Sequence, residues 1–77
     1  MANRVNNWQE LLKLANKDLE KYNIRLTLEE FDGSYTLYIK NTTTDKWETY
    51  AEGYYEDELS ELVNDAWAHA RAKVKAK

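Results

Sequence analysis

The chain has no cysteine and no proline, and glycine occurs twice in 77 residues. Without cysteine there is no disulfide and no thiolate zinc site. With no proline and few glycines the chain reads as compact rather than tail-like, with no linker and no low-complexity segment. One histidine, His69, leaves general acid–base chemistry without a tuned pair. Glu29 and Glu30 are adjacent, but neighbours on a strand point to opposite faces, which spoils a carboxylate pair. There is no glycine-rich phosphate loop, and Asn41 to Asp45 lacks the spaced carboxylates of a calcium loop. No enzyme activity, cofactor or metal is expected. No stretch approaches the ~20 apolar residues of a membrane span. Met1–Asn7 holds no apolar run, so no signal peptide is read and a cytoplasmic protein is expected. Asn41-Thr42-Thr43 matches a glycosylation sequon, but without a secretion signal it reads as loop chemistry.

What the chain does have is aromatic rings and sorted charge. At this length it forms one domain, expected to be ordered over about residues 7–72. Such a domain buries roughly 60% of its unfolded surface and has a total stability of about 4–11 kcal/mol. Three Trp and six Tyr must supply much of the core. The net charge of −3 hides segregation. Residues 1–23 are net +1, with Arg4, Lys13, Lys17 and Lys21 against Glu10, Asp18 and Glu20. Residues 24–65 set Arg25, Lys40 and Lys46 against eleven acids, net −8. Residues 66–77 carry Arg71, Lys73, Lys75 and Lys77, net +4. The sheet and the start of the last helix are acidic and both ends of the chain are mildly basic.

Hydrophobic spacing predicts a helix over 7–22, with Trp8, Leu11, Leu12, Ala15, Leu19 and Tyr22 on one face and Lys13, Lys17 and Lys21 opposite. Asn7 suits its N-cap and Asn23 a left-handed stop. Asp32-Gly33 is a hairpin turn. A two-residue loop there pairs Phe31 with Ser34, Leu28 with Leu37, Leu26 with Ile39 and Thr27 with Tyr38. A third strand is predicted over 46–54. Its parity is chosen to keep Glu48 and Glu52 out of the core, because an unpartnered buried acid costs several kcal/mol. That choice needs a three-residue loop, Thr42 to Thr44, and sets Trp47 opposite Ile39 with Ala51 also inward. A second helix begins after Tyr55, acidic at its start and basic at its end, with Leu59, Leu62, Val63, Ala66 and Ala70 inward. The last few residues are expected to fray.

The expected fold is therefore α+β: α-β-β-β-α, a three-stranded antiparallel meander with both helices on one face. The other face stays open, and its expected aromatics are Phe31, Tyr38, Tyr50 and Tyr54. Exposed rings of this kind anchor protein contacts, and Glu29, Glu48 and Glu52 beside them repel a phosphate backbone. A protein partner or self-association is expected. The helix 1 lysines and the basic C-terminal segment form the alternative: Lys13, Lys17, Lys21, Arg71 and Lys73 as a weak nucleic-acid site. The acidic run Glu56 to Glu61 reads as a solvated helix start. No membrane partner is expected.

The order α-β-β-β-α, with a short last hairpin and Tyr50-Ala51-Glu52-Gly53 closing strand 3, resembles the double-stranded-RNA-binding domain over roughly Trp8 to Ala72. That resemblance implies the same fold and RNA contact by a lysine cluster at the start of the second helix and by a basic first hairpin loop. Here those positions read Glu56-Asp57-Glu58-Leu59-Ser60-Glu61 and Asp32-Gly33. The reading is thus a small interaction or regulatory module acting by surface contact, of a size and composition that suit a bacterial or phage accessory protein. Weak nucleic-acid binding is the alternative.

Overall fold

The computed structural model describes residues Asn7–Lys75. Its elements are α1 (Trp8–Leu19), β1 (Ile24–Phe31), β2 (Ser34–Asn41), β3 (Lys46–Tyr54) and α2 (Leu59–Lys75), with 3-10 turns at Glu20–Tyr22 and Glu56–Glu58. The strands make one antiparallel sheet in the order β1-β2-β3, and both helices pack on it. The chain adopts the expected α+β, α-β-β-β-α arrangement. Helix α2 continues past Ala72 to Lys75; residues 76 and 77 lie outside the described residues, and with them part of the expected fraying.

Local chemistry sets the boundaries. The Asn7 side chain accepts the Glu10 N–H at 3.3 Å, satisfying one of the orphan donors at the start of α1. The helix tightens into a 3-10 turn and stops at Asn23, which sits left-handed at φ 62°. Tyr55 N–H donates to Glu58 Oε1 at 2.9 Å, while Glu58 N–H donates to Tyr55 O at 2.8 Å, closing the start of the second helical segment reciprocally. Asp32 and Gly33 both have positive φ, the sign pattern of a type I′ turn. The β1–β2 register results from it: Phe31 faces Ser34, Leu28 faces Leu37 and Leu26 faces Ile39, as expected.

The core lies between sheet and helices. Leu26, Leu37 and Ile39 meet Ala15 and Leu19 of α1, and Leu59, Leu62, Val63, Ala66 and Ala70 of α2. Ala66 and Ala70 are fully buried, and their small side chains let α2 lie close to its neighbours. The helices are joined through Asp18 of α1, whose Oδ2 accepts the Trp67 indole N–H at 2.8 Å and lies 3.6 Å from Arg71 Nε. A second contact has no counterpart among the sequence expectations. The Asn16 carboxamide donates to Leu26 O at 3.0 Å and accepts Leu26 N–H at 2.7 Å. It gives edge strand β1 the pair of bonds that another strand would supply.

Strand β3 departs from expectation. The connection from β2 has four residues, Thr42–Asp45, because Asn41 Oδ1 accepts the N–H groups of Thr43 and Thr44, Asn41 O accepts that of Asp45, and Asp45 turns left-handed at φ 63°. The sequon is thus used as turn chemistry. One extra loop residue inverts the parity at which β3 begins. Trp47 stands opposite Lys40 on the open face, not opposite Ile39, and is 50% exposed. Glu48 takes the place opposite Ile39, on the helix side. It escapes burial at the sheet's end, where Lys73 Nζ reaches its carboxylate at 3.1 Å and its side chain stays 57% exposed.

Two irregularities then reset the strand. Between the partners of Leu37 and Tyr38 the strand has an extra residue, Tyr50; between those of Tyr35 and Thr36 it has Gly53, at φ 82°. Ala51 returns to the helix side opposite Leu37, and Glu52 points to the open face opposite Thr36, as expected. Tyr50 and Tyr54 do not join the open face. Tyr54 comes opposite Tyr35, and both tyrosines pack against the buried cluster. A strict two-residue alternation does not survive bulges.

Candidate interaction surface

The sheet face away from the helices is covered by no described element. β1 contributes Arg25, Thr27, Glu29 and Phe31, β2 contributes Thr36, Tyr38 and Lys40, and β3 contributes Trp47, Thr49 and Glu52, because residues paired across the ladder share a face. Of the four expected aromatics, Phe31 and Tyr38 lie here and Tyr50 and Tyr54 do not. Trp47 replaces them. No sequence signal short of the loop length placed it here.

The centre of the face is ordered. Tyr38 and Trp47 meet edge to face with centroids 5.7 Å apart. Lys40 Nζ lies 5.0 Å from the Trp47 ring centroid and 2.9 Å from Asp45 Oδ1. The lysine thus lies between an aromatic ring and a loop carboxylate, over the face of the indole. Phe31, at the hairpin end of β1, is 80% exposed. The formal charges on the face balance, with Arg25 and Lys40 against Glu29 and Glu52. They are also sorted, cations toward the β2–β3 loop and acids toward the β1–β2 turn.

The cations of the nucleic-acid alternative gather toward one end of the molecule, but three of the five are tied to carboxylates. Lys21 and Arg71 both reach Asp18, each at 3.6 Å, and Lys73 is taken by Glu48. Lys13 and Lys17 remain on the exposed face of α1. Asp18 is held below the ordinary carboxylate range, first by the Trp67 hydrogen bond, then by Arg71 and Lys21, against partial burial. At the far end of the molecule lie Glu29, Glu30, Asp32, Glu52, Glu56, Asp57, Glu58 and Glu61, and among the described residues none of them forms an ion pair. Burial, then Glu30 and Glu56, raises the Tyr35 phenol there.

Little else is shaped for chemistry. His69 is exposed and leans on Tyr50 with ring centroids 5.1 Å apart. Among the described residues no three His, Asp or Glu side chains group as a metal site requires, and no helix is long and apolar enough to cross a membrane. A shallow groove of about 520 Å³ runs between the end of α2 and the β2–β3 loop, past Tyr22, Ile39, Trp47 and Val74. No known family model, curated protein or solved structure matches the chain.

Proposed function

We propose that the chain is a small, non-enzymatic protein-interaction module whose working surface is the open sheet face. The observation that carries this reading is the Tyr38–Trp47–Lys40 cluster: two large rings in edge-to-face contact, with a lysine over one of them, on a face that no described element covers. A half-exposed tryptophan buries a large area at little entropic cost when a partner covers it. The balanced charge on the face favours a protein over a polyanion, since a phosphate backbone needs clustered cations.

The test is a photo-crosslinking amino acid at Thr49, exposed on this face midway along edge strand β3, with the exposed Asn64 of α2 as control. Discrete adducts from position 49, absent from position 64 and lost in the Tyr38→Ser/Trp47→Ser background, are expected. A position 49 that captures nothing in cells, or no more than the control, removes this reading.

A further inference from the structure

Resting on that reading, we propose that the partner is a second copy of this chain, docked face to face about a two-fold axis lying across the strands. The face is polar along its strands. Arg25 and Lys40 are directly paired at one end, Thr27, Tyr38 and Thr49 cross the middle, and Glu29 and Glu52 flank Thr36 at the other. A two-fold axis across the strands reverses strand direction while leaving each strand over its own equivalent. Arg25 of each copy then stands over Glu29 of the other, with Tyr38 against Tyr38 near the axis. A two-fold axis along the central strand sets Lys40 over Lys40 and Glu29 over Glu52. The charges therefore accept the first arrangement and oppose the second.

Arg25 supplies an independent reason. It lies directly across the ladder from Lys40, a like-charge pair that disfavours the sheet of the isolated chain. Lys40 is compensated by Asp45, whereas among the described residues no carboxylate lies within ion-pair distance of Arg25. An incoming Glu29 fills that deficit. Growth by sheet extension is the less suitable route. Asn16 already occupies the Leu26 position on the β1 edge, and two irregularities break the β3 edge. Ordinary strand spacing and rise make the face about 14 by 27 Å. That is about half of the ~800 Å² per partner of a standard interface, so the dimer is weak and concentration-dependent.

Sedimentation equilibrium from about 10 μM to about 1 mM protein tests this, because a weak dimer forms within that range. The wild-type chain is expected to dimerise. Arg25→Glu and Glu29→Arg are each expected to weaken association about tenfold, and the Arg25→Glu/Glu29→Arg double variant to restore most of it. Arg25→Glu also creates an opposite-charge pair with Lys40, so its melting temperature is expected to rise while association falls, a split that loss of fold does not produce. A wild-type chain that stays monomeric throughout the range, or single reversals that change nothing, or a double variant without rescue, overturns the proposal. The crosslink at Thr49 separates the two readings. An adduct of twice the chain mass supports the dimer. An adduct of any other mass alone overturns the dimer and leaves the interaction module standing. No adduct overturns both.

Discussion

Asp18 has more polar side-chain partners than any other charged residue among the described ones. It ties α1 to the Trp67 indole of α2 and to Arg71 one turn further along. Its acidity is raised in the fold, so the folded pKa lies below the ordinary value of 3.8. The stability this supplies is present above that value and is lost as pH falls through the folded pKa. Asp18→Asn is therefore expected to lower the urea midpoint at neutral pH, with the gap to wild type narrowing below about pH 4. A gap that stays constant down to pH 2 would show that the contact contributes nothing through its charge. The apolar residues differ among themselves in the same way, by context. Leu62 is 3% exposed and sits within the buried cluster, so Leu62→Ala is expected to cost about 2–5 kcal/mol in a denaturant melt. Leu28 is only partly buried near the hairpin end, and Leu28→Ala should cost clearly less.

β3 shows how an element is re-aimed by one residue in the loop before it and one within it. Asp45 lengthens the loop and swings Trp47 outward; Gly53 lets the strand bulge and turns Tyr54 inward. A Cβ at Gly53 meets nothing within 4 Å, so substitution there is a conformational cost and not a clash. Gly53→Ala should destabilise by about 1–2 kcal/mol, the cost of a left-handed backbone for an L-residue, and Gly53→Asn should cost less, because asparagine tolerates that region. Equal melts for both variants and wild type would mean the bulge relaxes freely. On the opposite edge, Asn16→Ala leaves the Leu26 N–H and C=O without their partner. A loss of about 1–3 kcal/mol is expected, the cost of unsatisfied, partly buried backbone groups.

Taken end to end, the molecule is electrically lopsided. Strand direction and the Asp18 contacts to Trp67 and Arg71 gather the cations beside the β2–β3 loop and leave the acids around the β1–β2 turn and the start of α2. At the cationic end three carboxylates, Asp18, Asp45 and Glu48, pair with four cations, Lys21, Arg71, Lys40 and Lys73, Asp18 serving two of them. Few phosphate contacts remain, and the acidic pole repels any duplex that spans the molecule. A gel-shift with duplex RNA is expected to show no retardation at about 150 mM salt, where surface charges beyond ~8 Å are screened. Sub-micromolar binding that resists added salt would restore Lys13, Lys17 and Lys21 as a working surface.

Element order, helix limits and the β1–β2 register are legible from the chain alone, because each has a local cause. Asn7 and Asn23 bound α1 together with the 3-10 turn that follows it, Asp32-Gly33 dictates a two-residue turn, and 3.6-residue spacing selects Leu62 and Val63 for the core. Tyr38 and Phe31 fall on the open face as expected for the same reason: that turn fixes their side. Trp47, Tyr50 and Tyr54 do not, since their side depends on how many residues a loop contains and where a strand bulges. Loop length turns on the Asn41 side chain capturing two N–H groups, and Glu48 is tolerated on the helix side because Lys73, 25 residues away, meets it at the sheet's end. Local preference decides which residues form a strand. Which side each presents to the core is decided only when the strand meets its neighbours, and on that side rests the composition of the surface proposed to do the work.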